Sequence, residues 1–153
     1  MLLEEVVPDE KALYYHASYT PEIRTDTTTE ESPVRVLNNP GSPQPEVQLL
    51  SNGNYSVMLS SSGAGYSRWH NTSLTRWRED GTRDNWGSFC YVRDHGSNAV
   101  WSTTYQPRPA LHATYEAVFS EGKAEFNRHD KHFDPHTEAV VSPGDDIEVR
   151  RVR

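Results

Sequence analysis

From Glu46 onward, apolar and polar residues alternate in short runs separated by turn residues. Val47–Leu50 and Tyr55–Leu59 flank Ser51-Asn-Gly-Asn54. An Asn-Gly pair between two apolar runs predicts a β-hairpin, because both residues accept positive φ. Gly87–Arg93 and Ala99–Thr104 flank Asp94-His-Gly-Ser-Asn98 and predict a second hairpin. Ala113–Phe119 then alternates, with Thr, Glu and Val on one face and Ala, Tyr, Ala and Phe on the other. The turn Ser120–Lys123 leads into Ala124–Arg128, a long polar turn from His129 to Pro135 leads into His136–Val141, and Ser142–Asp146 precedes Ile147–Val152. No window sustains the helical period. Short strands at this spacing predict an all-β fold, an antiparallel β-sandwich.

Between these strands, Ser60–Gly65 reads as a flexible loop, Leu74–Trp77 as a strand or bent segment, Glu79–Asn85 as a polar excursion and Gln106–Pro109 as a further loop. Residues 1–45 differ from the rest. Leu2, Leu3, Val6 and Val7 offer a short apolar turn, and the Thr-, Pro- and Glu-rich stretch to Pro33 has neither period. Val34–Leu37 reads as one short strand, and Asn38–Pro45 is too Pro-rich to be helical. The expected division is an extended arm or linker over 1–45 and a β-sandwich domain over 46–153. The last strand runs into Arg153 with no stop signal, so the sandwich is expected to be incomplete.

Composition narrows the functional classes. The 153 residues are 34% hydrophobic, against a usual level of about 45–50% that also counts Gly. Such a thin apolar fraction points to a core completed by another chain or domain. Sixteen aromatic residues (Tyr 8, Trp 4, Phe 4) argue against disorder. A net charge of -7 leaves no dominant basic face for nucleic acid. No apolar run approaches the roughly 20 residues of a membrane span. The N-terminus is short and acidic, unlike a secretory signal, so Asn54-Tyr-Ser and Asn71-Thr-Ser read as chance glycosylation matches. The single Cys90 suits a reducing, cytoplasmic setting, and its apolar neighbours Phe89, Tyr91 and Val92 predict a buried, inert thiol.

Three constellations carry candidate chemistry. The first is the alternation of aromatics and Arg: Arg68-Trp69, Arg76-Trp77-Arg78, Arg83-Asp84 and Trp86. Aromatic faces stack on sugar C–H surfaces, planar polar groups bind hydroxyls, and guanidinium forks suit anions. The same residues would also serve as core or interface packing, with Arg stacked over Trp. The second is His129, Asp130, His132, Asp134 and His136, a spacing that could hold a divalent ion and that a solvated polar turn explains equally. The third is the adjacent carboxylates Glu79-Asp80 and Asp145-Asp146. Neighbours in a strand point to opposite faces, so they suit turns better than acid–base pairing across a glycosidic bond.

One ordered string of motifs is more specific. It runs through Leu50–Met58, Gly63–Trp69, Leu74–Asp80, Thr82–Gly87, Tyr91–Asp94, Val100–Ser102, Tyr105–Pro107, Phe119–Glu121, Ala124–Phe126, Val141–Pro143 and Asp146–Arg151. This string resembles the N-terminal β-sandwich domain of glycoside hydrolase family 94, most closely the cyclic β-1,2-glucan synthase and 1,2-β-oligoglucan phosphorylase type. The resemblance implies a supersandwich-like, galactose-mutarotase-like fold that precedes a catalytic (α/α)6 barrel, where phosphate attacks with inversion. It covers none of the barrel, so no catalytic residue is carried over and no turnover is expected from this chain alone. It further implies that loops of the domain approach the active site of a neighbouring subunit, which brings in Tyr66 and the span from Arg76 to Trp86.

The substrate-contacting set expected from both lines is Tyr66, Arg68, Trp69, Arg76, Trp77, Arg78, Asp84 and Trp86, with no cofactor and no metal. Expected partners are a β-glucan oligosaccharide, the catalytic barrel or a second subunit, and further copies of the chain. A free-standing, lectin-like carbohydrate-binding module is the alternative, and a metal-binding protein built on the His129–His136 turn is a third. The family's Gly-Gly-Gly-Tyr-Ser loop reads Gly63-Ala64-Gly65-Tyr66-Ser67 here. If the central position required positive φ, Ala64 would cost on the order of 1 kcal/mol. The turn His129–His136 also departs from a shorter, Gly-containing family turn.

Overall fold

A computed structural model of the chain describes residues 33–78, 83–109, 114–130 and 133–153, all within one compact unit, Ser32–Arg153. Most of the expected arm, together with Glu79-Asp80 and His132, lies outside the described residues. The described elements are eleven strands: β1 (Arg35–Leu37), β2 (Val47–Ser51), β3 (Tyr55–Ser60), β4 (Gly65–Trp69), β5 (Thr72–Ser73), β6 (Tyr91–Arg93), β7 (Val100–Ser102), β8 (Thr114–Ser120), β9 (Lys123–His129), β10 (His136–Val141) and β11 (Glu148–Val152). Among them no helix is long and apolar enough to cross a membrane.

The strands form a five-stranded sheet in the order β1-β8-β9-β10-β11, a four-stranded sheet in the order β2-β3-β4-β5, and the separate hairpin β6-β7. Every pairing is antiparallel. The two larger sheets share one core. Leu50, Tyr55, Val57 and Leu59 from the smaller sheet meet Ala117, Phe119, Ala124, Phe126 and Ala139 from the larger. Phe119 and Phe126 meet edge to face with centroids 6.2 Å apart. Each large side chain so buried contributes about 1.5–3 kcal/mol relative to exposure. The alternation read in β8 is the one that buries Ala117 and Phe119.

Polar side chains fasten the two ends of this core. At one end, Asn52 of the β2–β3 turn donates to the carbonyls of Ser142 and Asp145, each at 3.0 Å, tying the smaller sheet to the β10–β11 turn. At the other, Arg128 of β9 is only 3% exposed. Its Nη1 donates to the carbonyl oxygens of Ser102 (2.8 Å), Thr104 (2.9 Å) and Arg108 (3.3 Å). Burial pulls this guanidinium below its ordinary pKa, and Asp130 opposes that fall. Its Nη2 lies 3.7 Å from the Asp130 carboxylate.

Two expectations change. Ser60–Gly65 is not a loose surface loop: all six residues are buried, and Gly63 packs against the Thr104 side chain. Gly63 and Gly65 have positive φ, but Ala64 does not and is fully buried, so the departure from Gly carries no backbone penalty. Cys90 is exposed rather than buried, because β6 begins only at Tyr91 and the alternation that would turn the thiol inward does not extend to it. Of the two forms expected for Leu74–Trp77, the bent one is present: Leu74 and Thr75 bend directly after β5.

Candidate functional site

The register of β3 with β4 pairs Val57 with Ser67 and Met58 with Tyr66. Val57 and Ser67 face the core, so Tyr66 and Arg68 face outward from the smaller sheet. The β4–β5 turn uses His70 at a φ of 47°, and Ser67 then anchors the returning chain. Its N–H donates to Thr75 Oγ1 at 2.8 Å, and its carbonyl accepts from the amides of Leu74 and Thr75. Residues 76–78 are thereby laid across the outer side of β4.

Asp84 fixes the far wall. One carboxylate oxygen accepts the Trp77 indole N–H at 2.7 Å. The other accepts the Ser62 hydroxyl at 2.7 Å and the Ser60 hydroxyl. Trp86 is held through its backbone, its carbonyl accepting the Gly65 amide at 2.8 Å. The result is a cleft of about 570 Å³ lined by Tyr66, Arg68, Ser73, Thr75, Arg76, Trp77, Arg78 and Trp86. Among the described residues, neither Arg76 nor Arg78 has a carboxylate partner. Three guanidinium groups, a phenol and two indoles therefore share one open polar surface, which suits hydroxyl-rich or anionic ligands.

Six of the eight expected residues line this cleft, and Asp84 stands behind it as the support of Trp77. Trp69 does not join them. It lies on the core-facing side of β4, opposite Tyr55, and its indole N–H donates to Asp146 at 2.8 Å. That bond, with the Asn52 amide, holds the Asp146 carboxyl below the usual range. Asp146 is thus a turn-closing acceptor. Ser60 and Ser62 were the residues that spacing alone missed; the only signal was three consecutive Ser ahead of the Gly-Ala-Gly segment.

Among the described residues of the His-rich constellation, His129, Asp134 and His136 line one cavity but make separate pairings. His129 pairs with Asp134, and Asp130 with Arg128. His136 turns instead toward Asn127, Glu125 and Glu138 on the outer face of the larger sheet.

The sandwich and its outer cleft place the chain among all-β domains that present loops beside a sheet. More specifically, the chain matches the family model of the glycosyl hydrolase 94 supersandwich domain over residues 30–153 and belongs to that family. It is 41% identical over 119 residues, 78% of this chain, to the cyclic beta-(1,2)-glucan synthase NdvB of Rhizobium meliloti (strain 1021). It is 29% identical over 75 residues, 47% of this chain, to an N,N'-diacetylchitobiose phosphorylase of Vibrio furnissii. These matches span only 4% and 9% of the lengths of those two relatives.

Proposed function

We propose that this supersandwich domain works as the non-catalytic, supporting part of a cytoplasmic β-1,2-glucan-processing enzyme. In this reading it packs on an (α/α)6 catalytic barrel or a second subunit and lends the cleft to an oligoglucan. The observation that carries the reading is the convergence of Tyr66, Arg68, Arg76, Trp77, Arg78 and Trp86 on one cleft, with Trp77 held by Asp84. The stronger similarity to the glucan synthase than to the chitobiose phosphorylase favours a β-1,2-linked glucan as the sugar. Leu49, 69% exposed, is paired with Met58, which pairs in turn with Tyr66. Met58 is itself buried, so the exposed Leu49 is the apolar contact that supports a partner surface beside the cleft.

The test is titration of β-1,2-glucooligosaccharides into the 153-residue chain, alone and mixed with the catalytic barrel of a cyclic β-1,2-glucan synthase. The expected result is no saturable binding by the chain alone, complex formation with the barrel, and tighter sugar binding by that complex. Trp86→Ala or Arg76→Ala should lower that gain at least tenfold. Saturable binding by the chain alone would favour the lectin-like alternative. Failure to associate with the barrel would overturn the supporting role.

A further inference from the structure

On the outer face of the five-stranded sheet, Glu125 of β9 lies directly opposite Glu138 of β10. Like charges in that position repel. His136, two residues before Glu138 on the same face, directs Nε2 at both: 3.1 Å from Glu138 Oε1 and 3.6 Å from Glu125 Oε1. The remaining carboxylate oxygens are already occupied. Lys123 pairs with Glu125 Oε2 at 2.9 Å, and Arg151 Nε donates to Glu138 Oε2 at 2.6 Å. Each Glu therefore offers one oxygen, and the two oxygens face the same ring nitrogen.

The network behind His136 orients its ring. Asn127 Nδ2 donates to Glu116 Oε1 at 3.2 Å, which turns Asn127 Oδ1 toward His136 Nδ1. The flipped amide would set its oxygen against the Glu116 carboxylate. Nε2 is thereby aimed at the one free oxygen of each carboxylate. A cation placed between these three atoms would take all of them as ligands. An outer residue that fixes the far ring nitrogen of a His is also the arrangement that orients metal-ligating imidazoles.

Distances agree with a specific class of ion. Zinc binds N and O donors at about 2.0–2.2 Å, so the edges of its tetrahedron measure about 3.3–3.5 Å. The two separations from Nε2 bracket that value. The exposed Arg153 approaches Glu138 Oε1 only to 3.7 Å. We infer that Glu125, His136 and Glu138 form a surface site for a zinc-type divalent ion, with its fourth position open to solvent.

The experiment uses the untagged 153-residue chain, stripped with chelator and titrated calorimetrically with zinc chloride at pH 7.5. Cobalt(II) absorption is recorded in parallel. One equivalent should bind, with visible cobalt bands of a tetrahedral site. His136→Ala should weaken binding at least 100-fold and abolish those bands. Asn127→Ala should weaken it about 10–100-fold, the range for loss of an outer-shell orienting group. His129→Ala should leave binding unchanged. Should His136→Ala fail to fold, Glu125→Gln carries the test, with an expected loss of at least tenfold. No uptake by the parent chain, or equal uptake by the folded ligand variants, overturns the site.

Discussion

Trp77 and Asp84, seven residues apart, are joined by an indole-to-carboxylate hydrogen bond of 2.7 Å, and the same carboxylate holds the hydroxyls of Ser60 and Ser62. One acid therefore couples the cleft wall to a buried turn. Asp84→Ala should lose about 1–3 kcal/mol, the cost of leaving buried polar partners unpaired. Chemical denaturation would read the loss, and tryptophan emission should shift red in the folded state as Trp77 is released.

Arg128→Met should be more damaging. It removes a buried cation and strands the carbonyls of Ser102 and Thr104 together with Asp130. Breaking one partner of a buried charged network typically costs about 3–5 kcal/mol. A urea midpoint unchanged within error would refute the anchoring role assigned to this guanidinium.

Gly65 and Gly53 both have positive φ, yet they should differ on substitution. A Cβ on Gly65 would overlap the Met58 carbonyl oxygen, whereas one on Gly53 meets open space. Gly53→Ala should cost about 1–2 kcal/mol, the left-handed penalty alone. Gly65→Ala should exceed that by at least 2 kcal/mol, comparable to an overpacked core. Equal melting temperatures would contradict the close approach of β3 and β4.

Acid should destabilise the fold through two carboxyls in particular. Glu138 and Asp146 are both held below their ordinary values of 4.5 and 3.8. A depressed carboxyl contributes stability that is fully present above its unfolded pKa and lost as pH falls through the folded one. The melting temperature should thus be flat above about pH 5 and fall below about pH 4.5. Arg151→Ala, which removes the leading cause of the Glu138 shift, should flatten that fall.

What the sequence made legible follows the range of the interactions involved. The Asn52-Gly53 hairpin and the β8–β9 alternation depend on neighbours, and both form where local pattern places them. Gly65–Trp69 was not recognisable as a strand because its core-facing positions include Gly65 and Ser67, too small to register as apolar. The Ser60–Ala64 turn looked solvent-exposed because its polar partner, Asp84, lies more than twenty residues further on. The Arg and Trp alternation falls on the segment that lines the cleft, but the turn after β4 sends Trp69 the other way. His136 stood out by residue type. Its neighbours Glu125 and Glu138 come from strand register, which no spacing within the His129–His136 turn contains.

The Asn52-Gly53 turn has a bearing on chemical ageing. Asn-Gly pairs deamidate when the Gly amide nitrogen attacks the Asn side-chain carbonyl. Here that nitrogen donates to Ser51 Oγ at 3.0 Å, while the Asn52 side-chain oxygen accepts from the amides of Asn54 and Tyr55. Folding thereby withholds both reacting groups. A chain that does deamidate would carry a carboxylate against the carbonyls of Ser142 and Asp145 and beside the Asp146 side chain. The clamp between the two sheets would become a point of repulsion. Mass spectrometry of aged samples should find the one-dalton gain at Asn52 slow in folded protein and rapid after unfolding.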